Sequence, residues 1–79
     1  MKLEYIITDY SPVIFNEAVK HGEAAKGLGT IHSAGFVYVS FNAHTEQFDC
    51  TPFGESVSLG IKSNSDDKMK LDRMFNSSF

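Results

Sequence analysis

The chain has a single cysteine, no tryptophan and no long apolar run. Cys50 alone cannot form an intrachain disulfide, and small secreted domains usually carry an even number of cysteines. No apolar stretch approaches the roughly 18 residues of a membrane-spanning helix, and the first residues do not resemble a signal peptide. We therefore expect a cytoplasmic protein that does not associate with a membrane.

Positive charge is missing from the middle of the chain. Between Lys26 and Lys62 lie 35 residues without lysine or arginine, and they include Glu46, Asp49 and Glu55. Because lysine and arginine supply most of the affinity for a phosphate backbone, nucleic acid is not an expected partner. Nearer the end of the chain, basic residues alternate with aspartates, which is typical of a solvated helix face. The residues concerned are Lys68, Lys70 and Arg73, among Asp66, Asp67 and Asp72.

The length of the chain fits one domain. We expect residues 1–79 to form it, with 76–79 as a frayed tail. Phenylalanine, isoleucine, leucine and valine account for 21 of the 79 residues, above the roughly 20% below which disorder is typical. A domain this small buries only about 60% of its unfolded surface. Since no disulfide can compensate, oligomerisation is the common remedy, and we predict a homodimer.

Four stretches have the composition and alternation of β-strands. They are 3–8, 35–41, 46–51 and 55–62. The stretch 35–41 is almost entirely β-branched or aromatic, so it is predicted to be a central strand covered on both faces. In the stretch 55–62, Val57, Leu59 and Ile61 are expected to face the core. Residues 13–15 fit either a short strand or the entry to a helix.

Two stretches of helix-forming residues complete the pattern. The first follows Asn16 as a possible N-cap and ends at the glycines of 27–29. The second begins after Ser65, and apolar residues at spacings of three and four predict its buried side. That buried side is Leu71, Met74 and Phe75. The order β(β)αβββα predicts an α+β fold, a largely antiparallel sheet of three to five strands with two helices.

The chemical motifs of the chain are all incomplete. Ser56 lies in Gly-Glu-Ser-Val-Ser, which lacks the second glycine of a nucleophile elbow. The glycines at 27 and 29 close a helix, whereas a phosphate loop opens one. The three histidines and Cys50 contain no pair at the close spacing of a metal site, and Cys50 beside Asp49 is expected to be an inert core thiol. We expect no catalytic residue, no metal and no cofactor.

Aromatic residues concentrate in the central hairpin and at its exit. Two small helices cannot easily cover every face of such a sheet, and an uncovered aromatic face usually marks an interface. Plain core packing is the other explanation of these residues. We predict a non-catalytic protein–protein interaction or regulatory module that self-associates through an aromatic sheet face. The candidate interface residues are Phe36, Tyr38, Phe48 and Phe53.

A small-ligand-binding protein or a small enzyme is the alternative function. Its pocket would lie between the segments 29–35 and 54–58. The polar members of that pocket would be His32, Ser33, Glu55 and Ser56. They can act together only if the two segments are adjacent in space, because acid–base partners must reach hydrogen-bond distance.

Overall fold

The structure, a computed structural model, describes residues 1–77, and Ser78 and Phe79 lie outside the described residues. Residues 1–77 form six strands and two helices. The strands are β1 (Lys2–Ile7), β2 (Val13–Phe15), β3 (Ser33–Asn42), β4 (Gln47–Phe53), β5 (Glu55–Ser56) and β6 (Ile61–Lys62). The helices are α1 (His21–Ala24) and α2 (Asp67–Asn76). The predicted α+β class is confirmed.

Four of the strands form one antiparallel sheet in the order β2-β1-β3-β4, and β5 and β6 form a small separate hairpin. In the sheet, Tyr5 lies opposite Gly35, and Phe36 lies opposite Phe53. Residues that lie opposite each other across two strands point to the same face. The register therefore defines two faces of the sheet. We name the face that carries Tyr5 the α2 face, and the face that carries Phe36 and Phe53 the open face.

The α2 face carries the main hydrophobic core. Leu71 of α2 is fully buried against the sheet. The other buried members of this core are Tyr5, Ile7, Val37, Val39 and Cys50. Phe75 of α2, half-buried, packs against the same cluster. The predicted apolar side of the second helix is therefore the side that covers the sheet.

The open face is covered only at its β1 end. There the residues Ile6 and Ala34 are fully buried, and His21 of α1 is 4% exposed. At the other end, where β3 pairs with β4, Tyr38 and Phe53 remain exposed. The central strand is thus covered on both faces for only part of its length.

The first helix is much shorter than predicted, and the expectation that it begins after Asn16 is wrong. Asn16 Oδ1 accepts a hydrogen bond from the N–H of Ala18 at 2.8 Å, which closes a local turn. The helix α1 follows Lys20 and spans four residues. Its weak apolar stripe gives a longer helix too little to pack against the sheet. Residues 13–15, whose sequence fits either a short strand or the entry to a helix, form the strand β2.

The predicted strand 55–62 is two short strands joined by a turn. Val57 is 86% exposed, in contrast to the expectation that it faces the core. Gly60 has a φ of 67°, and its N–H donates to the Ser56 carbonyl at 2.9 Å. A glycine in the left-handed region favours a tight turn over a continuous strand. Turn chemistry therefore overrides the alternation of apolar residues here.

Two hydrogen bonds of Asn64 close the turn that leads into α2. Asn64 Oδ1 accepts from the N–H of Asp66, and Asp67 Oδ2 accepts from the N–H of Asn64, both at 2.9 Å. The N-cap residue is Asp66, whose side chain makes no cap hydrogen bond, so the predicted cap at Ser65 is wrong. At the other end, Asn76 belongs to the helix and not to a tail.

Gly35 offers a test of the packing above the central strand. A Cβ there would lie 2.7 Å from the Phe53 carbonyl oxygen and 3.1 Å from the Cβ of Ser63. We expect Gly35→Ala to lower the free energy of unfolding by about 1–3 kcal/mol, because backbone must shift to admit the methyl group. In Gly22→Ala the nearest atom is Ser58 Oγ at 3.9 Å, so this control should be neutral or slightly stabilising. Urea denaturation measures both, and equal losses would contradict the packing described.

Candidate interaction surface

Three aromatic residues of the β3–β4 pair share the open face. The rings of Phe36 and Phe53 are stacked, with centroids 5.8 Å apart and planes inclined by 27°. Tyr38 is the next residue of β3 on this face and is 55% exposed, and Phe53 is 39% exposed. We name Phe36, Tyr38 and Phe53 the aromatic face. An exposed cluster of this kind is typical of an interaction surface.

A lysine from the neighbouring strand lies at the margin of the aromatic face. Lys2 is opposite Tyr38 in the β1–β3 pair, and its Nζ lies 4.8 Å from the centroid of the Phe36 ring. The same Nζ is 3.5 Å from Glu17 Oε1. Strand pairing thus brings a cation to a segment that has none in its own sequence. Because this cation already has a carboxylate partner, it does not amount to the basic patch that nucleic-acid binding requires.

Phe48, the fourth candidate interface residue, lies on the α2 face. Its ring contacts Phe41 and Phe75, with centroid distances of 5.3 and 6.0 Å. The structure therefore groups three of the four predicted residues and separates Phe48 from them. Phe41 and Phe48 line an open cavity of about 500 Å³ at the end of the β3–β4 hairpin, next to Asn76.

A buried histidine–glutamate pair lies beside the aromatic face. His21 Nδ1 is 3.1 Å from Glu4 Oε1, and the two side chains are 5% and 7% exposed. His21 Nε2 is 2.8 Å from the Gly35 carbonyl oxygen. A carbonyl can only accept, so Nε2 carries a proton.

The His21 ring connects this pair to the aromatic face. It meets Phe15 and Phe36 edge-on, at centroid distances of 5.3 and 5.6 Å. Glu4 Oε2 is buried and has no hydrogen-bond partner among residues 1–77. The pair is enclosed, and its contacts join α1 to β1 and β3. The sequence signal for it is a carboxylate on the same strand face as Ile6.

The polar residues of the predicted ligand pocket are engaged elsewhere, beginning with those of the segment 29–35. His32 Nε2 is exposed and lies 2.5 Å from Asp9 Oδ1. The hydroxyl of Ser33 is buried and donates to Asp67 Oδ1 at 2.7 Å. One side chain thus faces solvent and the other lies beneath α2, although they are adjacent in the chain.

The pocket residues of the segment 54–58 lie in the β5–β6 hairpin. Glu55 is exposed and lies opposite Lys62 in the β5–β6 pair. Ser56 is buried, and its Oγ accepts from the N–H of Leu59 at 3.3 Å. None of these contacts favours a pocket shared with the segment 29–35.

Two ionisable groups of the core are held in their neutral forms. Burial raises the pKa of the Cys50 thiol to about 12, and the negative charge of Asp72 acts in the same direction. Burial also raises the pKa of Tyr5 above its ordinary value, together with its hydrogen bond to Asp67. A thiol that stays protonated is a poor nucleophile, so Cys50 lacks the activation that covalent catalysis needs.

Within residues 1–77, no group of three or more histidine, cysteine, aspartate or glutamate side chains is placed to hold a metal ion. No helix among these residues is both long and apolar enough to cross a bilayer.

Comparison with known proteins gives no relative from which a function could be transferred. No protein-family model, no curated protein and no solved structure matches the chain.

The buried pair can be tested with a mutant cycle. We expect His21→Ala to cost about 3–5 kcal/mol of unfolding free energy, because it leaves a buried carboxylate unpaired. Glu4→Gln should cost about 1 kcal/mol or less, since its amide can donate to a neutral His21 Nδ1. In the Glu4→Gln background, His21→Ala should cost at least about 1 kcal/mol less than in the parent. Equal costs in both backgrounds, measured by urea denaturation, would contradict the pairing.

The buried thiol predicts a pH dependence of stability. The unfolded thiol ionises near its ordinary pKa of 9.0, whereas the folded thiol keeps its proton up to about 12. The folded state then binds more protons, so stability is full below pH 9 and falls as the pH rises, by up to about 1.4 kcal/mol per pH unit. Cys50→Ala should remove the thiol's part of this slope between pH 9 and 10 and leave the part that the raised pKa of Tyr5 contributes. Urea denaturation across that range measures it, and an unchanged slope would contradict the assignment.

Proposed function

We propose that the protein is a non-catalytic interaction module that forms a homodimer through the aromatic face. The observation that carries the proposal is the exposure of Tyr38 and Phe53 on two regularly paired strands. Large aromatic side chains at the centre of a flat sheet face contribute most of the energy of many interfaces. Tyr38 and Phe53 lie on the part of the open face where β3 pairs with β4, whereas α1 covers this face only near β1.

The charge of the surface favours a second copy as the partner. The neighbours of Tyr38 on this face are the uncharged Ser40 and Thr51 and, across β1, the charged Lys2. The nearest charged residues are paired within the chain, Lys2 with Glu17 and Asp49 with Lys68. An apolar patch whose bordering charges are already paired is complementary to itself, as a two-fold symmetric interface requires. A partner recognised by charge would instead need unpaired charges here.

Both edges of the sheet disfavour the addition of a strand from a second copy, which favours association through the aromatic face. The β4 edge is hydrogen-bonded to side chains of α2 at Phe48 and Cys50. The opposite edge is β2, which has three residues and follows Pro12. Short edge strands and prolines disfavour strand addition. Face-to-face packing of two sheets, about 10 Å apart, is the remaining route.

The exposed area indicates a weak and reversible dimer. A fully buried aromatic side chain covers about 150–250 Å², so Tyr38 and Phe53, roughly half exposed, offer on the order of 100 Å² each. A standard interface buries about 800 Å² per partner, so polar residues of the face must supply most of the contact. We therefore expect dissociation in the high micromolar range, which suits a regulatory or adaptor protein of the cytoplasm.

Sedimentation velocity over a concentration series up to about 500 μM tests the proposal. We expect a monomer–dimer equilibrium in the parent and at least a tenfold weaker one in Tyr38→Glu, because two carboxylates would then enter an apolar interface. Tyr10→Glu is the matched control, since Tyr10 is 84% exposed on a turn away from the aromatic face. A monomeric parent at every concentration, or equal effects of the two substitutions, would overturn the proposal.

A further inference from the structure

The outward edge of β4 is closed by side chains of α2. The N–H of Phe48 donates to Asn76 Oδ1 at 2.8 Å, and Asn76 Nδ2 donates to the Phe48 carbonyl at 3.1 Å. The N–H of Cys50 donates to Asp72 Oδ1 at 2.8 Å, and Lys68 Nζ donates to the Cys50 carbonyl at 3.0 Å. The two residues of β4 that point away from β3 thus have both backbone groups bonded to the helix.

The closing side chains form one row along α2. Lys68, Asp72 and Asn76 are spaced by four residues, so they lie above one another on the helix surface. Lys68 also binds Asp49 Oδ1 at 2.5 Å and Asp72 Oδ2 at 3.0 Å, and these hydrogen bonds raise the pKa of its ammonium group. The expectation that the charged residues of this segment form a solvated helix face is wrong for Asp67, which is 2% exposed, whereas the Lys68 side chain stays 45% exposed while it bonds to the edge of β4.

The third outward position of β4 is Pro52, which alternates with Phe48 and Cys50 along the strand. Proline has no N–H and is the residue that natural sheets place at exposed edges. Together with the helix row it leaves no free N–H on the outward edge between 48 and 52. An edge strand with free N–H and carbonyl groups is a template for pairing with another chain.

We infer that α2 is an edge cap that prevents β4 from pairing with β4 of a second copy. Two antiparallel β4 strands related by a two-fold axis at Asp49 would set Phe48 of each copy opposite Cys50 of the other. Such a hydrogen-bonded pair exchanges two backbone bonds, and two pairs give four. In each copy the helix row satisfies the same two N–H and two carbonyl groups of Phe48 and Cys50 with four bonds. The second copy is thus an occupant that would satisfy every backbone group that the two rows release.

The inference is tested with Asp72→Ala/Asn76→Ala, which removes three of the four bonds. The substitutions are made in a Tyr38→Glu background, so that association through the aromatic face is not mistaken for edge pairing. We expect the amide exchange of Phe48 and Cys50 to quicken at least about tenfold in dilute protein. We also expect light scattering to show dimers and larger species at about 100 μM and about 0.5 M NaCl, where the two Asp49 charges are screened.

Two controls separate capping from general destabilisation. Lys70→Ala/Arg73→Ala removes exposed residues of the same helix and should leave exchange and mass unchanged. Leu71→Val loosens the core but keeps the row, so it should raise exchange broadly without association. If circular dichroism shows that the double variant is unfolded, Asn76→Ala alone is compared with the same two controls. This single substitution removes only the two bonds to the Phe48 backbone. The inference would be overturned if a variant with faster exchange at β4 stayed monomeric. It would also be overturned if Leu71→Val associated as much as the double variant.

Discussion

The buried carboxylate of Asp67 is the interaction on which the rest of the structure depends. It is 2% exposed and accepts from Tyr5 at 2.5 Å, from Ser33 at 2.7 Å and from the Asn64 N–H at 2.9 Å. A buried carboxylate is costly unless it is fully hydrogen-bonded. The three donors come from β1, β3 and the loop before α2, and the N-terminus of the helix favours the negative charge. One side chain therefore fixes where the helix begins and where it meets the sheet.

That fixed point sets two parallel rows along α2. At steps of four from Asp67, Leu71 and Phe75 face the core. One position further on, Lys68 begins the row that reaches the edge of β4 through Asp72. Neighbouring rows on a helix point in directions about 100° apart, so a single ten-residue helix covers one face and closes one edge. A displacement of the helix by one residue would remove both contacts together.

The sequence predicts the parts that rest on periodicity and fails where single polar contacts decide. Alternation identifies β1 and β4, the β-branched and aromatic composition of 35–41 identifies β3, and the spacing of Leu71 and Phe75 identifies the buried side of α2. The division of 55–62 is missed, because the turn at Gly60 interrupts a stretch that still alternates. The contacts of Glu4 with His21 and of Asp72 with Cys50 join residues far apart in the chain. No local pattern specifies them, although a carboxylate among inward-facing apolar residues is a usable signal for the first.

The aromatic face is a consequence of how little chain is left for the second side of the sheet. The ten residues of α2 serve the first side, whereas the four residues of α1 contribute mainly His21 to the other. Phe36 is already half-buried, since His21 meets its ring edge-on and the backbone of Gly54 lies against it. Its burial cannot increase much on association. The gain from covering this surface must therefore come from Tyr38 and Phe53, which makes β3 and β4, and not β1, the centre of any contact formed there.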